Sequence, residues 1–333
     1  MSLRIGLVYD RFGDTPPPPD APPDWDAEFE PEETVAVLEA AVRALGHEPV
    51  RIGSAQALLA WMQEEPSLGL DAAVNIAESY GSRNREGHAP TLLELAGVPC
   101  LGSDALTLSL SLDKAWTKDL ARAAGIATPD WRVLASADAV DETDLPPFPL
   151  FVKPRYEGTA KGIAPSSRAE TPDGVRREVE RQTRLYGQDV LVERFVVGGE
   201  FTVAVVGNDP AEALPVLQRA TERNSGIGLH ALDRHEDPAA PFDYVIHGAL
   251  DRVLEARLCD LALRIYAKLE CRDFARVDFR VDERGKPWFL EINPLPTFAP
   301  DGTFAIIAEL MNRPYPDLLA DLLARGLRRL GVG

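Results

Sequence analysis

Arg276-Val277-Asp278-Phe279-Arg280-Val281, then Asp282-Glu283-Arg284-Gly285-Lys286-Pro287, then Trp288-Phe289-Leu290-Glu291-Ile292-Asn293 is the stretch on which the reading of this chain turns. Both flanks are read as alternating strictly. Val277, Phe279 and Val281 fall on one face of a strand, Arg276, Asp278 and Arg280 on the other. The polar middle reads as a turn and the last part as a returning strand, so the whole is a hairpin. With the tip centred between Arg284 and Gly285, as a two- or four-residue loop requires, Asp278 stands opposite Glu291 and Arg276 opposite Asn293, all on one face. Opposed residues on a sheet face have Cβ atoms about 4.5–5.5 Å apart, and like charges there repel. Two carboxylates so placed need a cation. The Asn293 amide oxygen completes an oxygen-rich cluster with few protein ligands, which suits Mg²⁺ (or Mn²⁺), an ion that keeps waters and accepts substrate phosphates. A solvated face carrying ordinary charges fits the same spacing, although Phe289 and Leu290 both read as buried and leave no wet face.

Upstream, the strand at 148–153 ends in Lys153 and runs into Arg155-Tyr156-Glu157-Gly158-Thr159-Ala160-Lys161-Gly162. Small residues let backbone amides approach an anion, and a lysine at a strand end can neutralise phosphate. The lysine precedes the glycines, so this is not the Walker pattern, and a plain surface loop reads the same way. A polar helix at 173–186 precedes strands at 189–196 and 200–206, joined across Gly198-Gly199. Glu193 and Glu200 flank that junction. They fit a nucleoside's base and ribose, or equally the solvated charges of a hairpin.

Towards the N-terminus, apolar runs at 3–9, 49–52 and 72–76 alternate with helical patterns from Glu32 and at 55–63, the signature of a βαβ unit with a mostly parallel sheet. Residues 15–31 carry Pro16-Pro17-Pro18-Pro19 and Pro22-Pro23, so they form a loop, because proline lacks an amide donor and fixes φ. A loop of that length is either functional or a disordered surface insertion. Ser103-Asp104 and Asp113 read as helix caps, and 114–124 as a helix stopped by Gly125. Beyond 206 follow a long polar loop at 219–243, a helix near 250–269, the hairpin and two closing helices.

The chain has 333 residues, 45% hydrophobic and 26% charged, with a formal net charge of -18. The length suits two or three domains, or one domain with large insertions, the balance is that of a folded globular protein, and no basic run offers a track for nucleic acid. Cys100, Cys259 and Cys271 are scattered, without metal-ligand spacing, and read as reduced thiols. No stretch is apolar enough to span a membrane, and the N-terminus has no signal core. The expectation is a cytoplasmic protein with neither membrane nor nucleic acid as partner.

These pieces stand in the order of ATP-grasp enzymes, and the sequence resembles the D-alanine–D-alanine ligase family. Five stretches carry the likeness: Leu92-Leu93-Glu94-Leu95-Ala96-Gly97-Val98-Pro99 with Gly102-Ser103; Leu112-Asp113-Lys114 with Thr117-Lys118 and Ala124-Gly125; Phe151-Val152-Lys153-Pro154 with Glu157-Gly158-Thr159; Leu191-Val192-Glu193 with Gly199-Glu200-Phe201-Thr202-Val203; and Arg276-Val277-Asp278 with Leu290-Glu291-Ile292-Asn293. The resemblance implies an ATP-grasp fold, α/β and α+β, in three domains: 1–103, 104–196 and 197–333. ATP would lie between the central and C-terminal sheets.

By the same likeness, Lys114 and Lys153 would contact phosphates, with Glu157, Gly158, Thr159 and Ala160 closing over them. Glu193 with the Phe195 and Val196 backbone would hold adenine, Glu200 the ribose, and Asp278, Glu291 and Asn293 the magnesium. Arg276 and Thr159 would be the catalytic groups. The implied reaction joins a carboxylate to an amine through an acyl-phosphate, on small amino-acid or carboxylate substrates, in a homodimer. Residues 219–243 would be the lid.

Departures from the family pattern bear on the substrate. The family's glycine- and serine-rich first loop is replaced by residues 10–31, and Glu28, Glu30, Glu32 or Glu33 would have to meet the first amine. Its histidine motif becomes Asn75-Ile76-Ala77-Glu78-Ser79, followed by Arg83-Asn84-Arg85-Glu86. Thr159-Ala160 keeps one hydroxyl of a serine pair, Leu295-Pro296-Thr297-Phe298 replaces Ser-Pro-Gly-Met, and Gly302 falls where a serine meets the second carboxylate. A ligase for other amino acids is therefore the alternative, and a kinase on the same fold the next.

Overall fold

In the computed structural model, residues 2–65, 67–232 and 243–332 are described. The N-terminal apolar runs form a parallel sheet of β1 (Arg4–Tyr9), β2 (Glu48–Gly53), β3 (Ala72–Ile76) and β4 (Cys100–Leu101), in the order β2-β1-β3-β4. Parallel strands need covered faces. Ile5, Leu7 and Val74 pack on Val35, Leu38 and Val42 of α1 (Glu32–Ala44). On the other face, Val8 and Ala73 meet Leu58 of α2 (Ala55–Glu64) and Leu93 of α3 (His88–Leu95).

Two capped helices lead out of this sheet. Asp104 accepts the Thr107 amide at 3.0 Å to start α4 (Ala105–Leu112), and Asp113 accepts the Ala115 amide at 3.1 Å to start α5 (Lys114–Ala123). A second, antiparallel sheet contains β5 (Trp131–Leu134), β6 (Leu150–Pro154), β7 (Arg168–Ala169) and β8 (Val190–Arg194), in the order β5-β8-β6-β7. Val175 and Val179 of α6 (Pro172–Tyr186) seal it against Val152 and Val192.

The third sheet is built on β9 (Gly198–Val206), with β10 (Glu212–Ala213) and β11 (Leu217–Arg219) paired to it. β12 (Thr221–Glu222) and β13 (Tyr244–Val245) form a separate short ribbon around α7 (Leu229–Leu232). The expected lid at 219–243 thus contains part of β11, β12 and α7, and its residues 233–242 lie outside the described residues. After α8 (Arg252–Lys268) come β14 (Phe274–Asp282) and β15 (Pro287–Asn293), giving the order β10-β9-β14-β15. Leu258, Ala262 and Ile265 of α8 bury Val203, Val277 and Phe279. Finally α9 (Thr303–Leu310) and α10 (Tyr315–Leu330) return to the first sheet's core.

One open alternative falls and one expectation is corrected. β8 and β9 are not the hairpin that the solvated-charge reading of Glu193 and Glu200 required, since they belong to different sheets. Gly198 and Gly199 make no turn there; they press β9 onto β14, where a Cβ on Gly198 would lie 2.0 Å from the Val281 carbonyl oxygen. The β14–β15 hairpin does place Asp278 opposite Glu291 and Arg276 opposite Asn293. A bulge between that pair and the tip makes Phe279 face Phe289, so the tip sits half a residue earlier than expected. Leu290 is the extra residue, and it turns to the same side as Glu291.

Candidate active site

A cavity of about 510 Å³ lies between the second and third sheets. Lys114, Lys153, Glu157, Gly158, Thr159, Ala160, Glu193, Phe195, Val196, Glu200, Arg276, Asp278, Glu291 and Asn293 all line it. Alternation in β14 and the bulge in β15 explain why the acidic pair faces this space while Val277, Phe279 and Ile292 face α8.

Asp278 is held on both oxygens. Thr202, its neighbour on β9, donates its hydroxyl to Oδ1 at 2.7 Å, and Arg276 Nε stands 2.9 Å from Oδ2. Glu291 Oε2 lies 3.9 Å from Lys114 Nζ and 3.7 Å from Lys153 Nζ. Burial works against its charge, but Lys114, Lys153 and Arg276 outweigh burial and push its pKa down to about 2. Burial also opposes charge on Arg276, and Asp278 and Glu291 keep that guanidinium protonated. Asn293 Oδ1 accepts a long bond from the Leu295 amide, at 3.4 Å. Among the described residues no group of three or more His, Cys, Asp or Glu side chains is arranged for a metal ion. Two carboxylates and an amide oxygen fit a hard cation that draws its remaining ligands from phosphate and water.

Deeper in, Glu193 bridges two lysines, with Oε2 2.5 Å from Lys118 Nζ and Oε1 2.9 Å from Lys153 Nζ. Burial pulls Lys118 down to about 8 despite this partner. The same glutamate and Glu291 hold Lys153 above the usual lysine range against its burial. The Phe195 ring lies between cations, Arg280 at 4.5 Å and Arg168 at 4.9 Å from its centroid. Its amide is engaged by the Pro149 carbonyl at 2.8 Å, so of the expected backbone pair that amide is not available to a ligand. Glu200, also buried, lines the cavity 3.7 Å from Arg280.

Of the acidic candidates in the altered first loop, Glu32 is exposed and paired with Arg11 and Arg51 at 2.6 and 2.7 Å, and neither it nor Glu33 lines the cavity. Those two are ruled out as contacts for a substrate in this cleft. Glu30 lines the cavity and accepts the Thr297 hydroxyl at 2.9 Å. Glu28 is buried against Arg85 and Lys161, at 2.8 and 2.5 Å. The proline-rich segment is no disordered insertion: its tip is exposed, but Trp25, Glu28, Phe29 and Glu30 are buried.

Sequence reasoning assigned no role to Lys118, Arg219 or Arg280. Lys118 was visible one helical turn after Lys114. Arg219 carried no signal; it donates to Thr202 Oγ1 at 2.9 Å and to Thr303 Oγ1 at 2.7 Å, with no carboxylate in ion-pair range among the described residues.

A family model described as the D-ala D-ala ligase C-terminus matches residues 120–324. The chain is 30% identical to the Sinorhizobium fredii protein y4sG, described as uncharacterized, over 97% of this chain and 94% of that protein. A D-alanine–D-alanine ligase of Desulforudis audaxviator is 32% identical over 73% of this chain and 78% of its own length. The crystal structure of a D-alanine–D-alanine ligase from Bacillus anthracis complexed with ATP aligns with a TM-score of 0.69 at 22% identity, covering 98% of each chain. At that identity the structural likeness speaks for the fold. No helix among the described residues is long and apolar enough to cross a membrane.

Proposed function

The chain belongs to the D-alanine–D-alanine ligase family and is an ATP-dependent ligase that forms a C–N bond, and from that premise we propose how its cleft divides the work. The adenosine end lies by Glu193, Phe195, Val196 and Glu200, and the phosphates run between Lys114, Lys153 and the loop at 157–160. Asp278, Glu291 and Asn293 hold Mg²⁺ or Mn²⁺, which offsets phosphate charge when bound.

The observation that carries this reading is the facing of Asp278 and Glu291 towards two lysines across one cavity. Charge of both signs, fixed before substrate arrives, is what phosphoryl transfer asks of a protein. A substrate carboxylate oxygen attacks the γ-phosphorus and ADP leaves, with Lys114 and Lys153 stabilising the negative charge on the transferred group. The amine nitrogen of the second substrate then attacks the acyl carbon, phosphate departs, and a proton passes to solvent. Arg276, kept protonated by its acidic neighbours, stabilises the oxyanion of that addition. Thr159, on the loop, donates its hydroxyl to a phosphate oxygen and helps exclude the water that would hydrolyse the acyl-phosphate.

Both substrates are small amino acids, and we propose that they need not be D-alanine, since the candidates Glu32 and Glu33 do not line the cavity and Gly302 brings no hydroxyl. Incubation with Mg-ATP and paired amino acids of both chiralities tests this. ADP and phosphate release that requires two amino acids, with a dipeptide by mass, is expected. Release without a second amino acid, or a phosphorylated product that survives hydroxylamine, would contradict it.

A further inference from the structure

Away from the acidic hairpin, the densest buried charge joins three stretches remote in sequence. Arg85, only 2% exposed, donates to Glu28 Oε1 at 2.8 Å, to Glu78 Oε2 at 3.1 Å and to the Tyr156 carbonyl at 3.4 Å. Lys161, also 2% exposed, comes from the glycine loop and reaches Glu28 at 2.5 Å and Glu157 at 2.9 Å. Glu28 is the shared member. Its Oε1 also accepts the Gly158 amide at 2.8 Å. Within the same proline-rich segment, Asp24 accepts the Gly162 amide at 3.0 Å and the Tyr186 hydroxyl at 2.7 Å. Both ends of the loop 158–162 are thus tied by backbone amides to carboxylates of residues 24 and 28.

Between the ties the loop is strained. Thr159 and Ala160 have φ of 48° and 58°, a left-handed pair that L-residues disfavour. Such backbone persists where its surroundings over-determine it, and turns of this kind gather amides into an anion-binding concavity. At Gly158 the fit is close: a Cβ would stand 2.4 Å from Glu28 Oε1. A side chain at 158 would have to displace the Glu28 carboxylate.

We propose that Glu28 and Asp24 are positioning residues, and that the proline-rich segment is a clasp holding the phosphate loop in its nucleotide-ready shape before nucleotide binds. Glu28 is then no ligand for a substrate amine, because its oxygens already serve Arg85, Lys161 and Gly158. The inference rests on the reading of 157–160 as the phosphate loop. Its advantage is preorganisation: ordering of the loop belongs to folding, so nucleotide binding does not have to supply it.

Hydrogen exchange over 157–163, with KM values for ATP and for each amino acid, tests this on the wild type, Glu28→Gln and Asp24→Asn. The wild-type loop should exchange slowly without nucleotide and more slowly with an unhydrolysable ATP analogue. Both variants should exchange faster, with KM for ATP raised roughly tenfold in Glu28→Gln and less in Asp24→Asn, and amino-acid KM values nearly unchanged. A rise in amino-acid KM alone would make Glu28 a substrate ligand and overturn the clasp. Should Glu28→Gln fail to fold, Asp24→Asn decides, and wild-type exchange and ATP KM in that variant overturn the proposal. Absence of nucleotide protection in the wild type would instead remove the phosphate-loop reading, and the clasp with it.

Discussion

The two ends of the cleft reach the same electrostatic result by different routes. At the hairpin, Arg276, Asp278, Glu291 and Asn293 are neighbours in one ladder, and the pleat alone brings them together. At the clasp, Glu28, Arg85 and Lys161 come from three stretches and meet only because the first sheet, its loops and the glycine loop pack against one another. A charge set written in strand alternation is local and tolerates change elsewhere. One written in packing depends on every segment that delivers a member.

If that contrast holds, the largest effect belongs to the hairpin. Asp278→Asn or Glu291→Gln should lower kcat/KM by roughly 10³-fold or more while leaving the thermal midpoint within a few degrees, because each removes transition-state charge stabilisation without opening a cavity. Steady-state kinetics alongside thermal melts check this, and full activity in both variants would end the metal assignment.

An intermediate effect is expected at Arg219, which belongs to neither charge set. A half-buried guanidinium between Thr202 and Thr303, with no carboxylate in ion-pair range among the described residues, suits an anionic group of substrate. Hydrogen bonds to charged groups contribute about 1.5–3 kcal/mol, so Arg219→Ala should raise KM for one amino acid by roughly 10- to 100-fold. Kinetics with each substrate varied in turn identify which one. Equal rises for both amino acids and ATP would mean that Arg219 only supports the sheet.

The smallest effect concerns stability at the clasp. Burial raises the Glu86 carboxyl to about 7; Arg85 and Lys114 oppose the rise, and Glu28 and Glu157 add to it. Its folded pKa thus lies above the ordinary carboxylate value of about 4.3. Below that value both states hold the proton. As pH rises from there to about 7 only the unfolded chain loses it, so stability declines across that window. Glu86→Gln should flatten the decline and be the more stable protein at pH 7, as denaturant titrations from pH 4.5 to 8 would register. A steeper decline in the variant would reverse the sign.

What could be read from sequence divides along the same line. Alternation at 276–281 together with the turn at 282–287 pointed to the pairing of Asp278 with Glu291, whereas the alternation read over 288–293 is broken at Leu290; the caps at Asp104 and Asp113 were plain because each serves amides within three residues. The Leu290 bulge was hidden, since an extra residue leaves the apolar pattern of Phe289 and Ile292 looking like a slip in the turn. Gly198-Gly199 looked like a hairpin turn, because nothing nearby shows that a strand of another sheet presses on it. The partnership of Glu28 with Arg85 spans 57 positions, and with Gly158 130. No local pattern encodes either, so the segment could be identified as a loop but not as a clasp.

Metal binding itself is the sharpest test of the account. Mn²⁺ titrated by electron paramagnetic resonance into the protein with an unhydrolysable ATP analogue should show binding that weakens roughly tenfold or more in Asp278→Asn and in Glu291→Gln, with unchanged melts. Wild-type Mn²⁺ affinity in both variants would contradict the claim that two strands of one hairpin hold the catalytic cation.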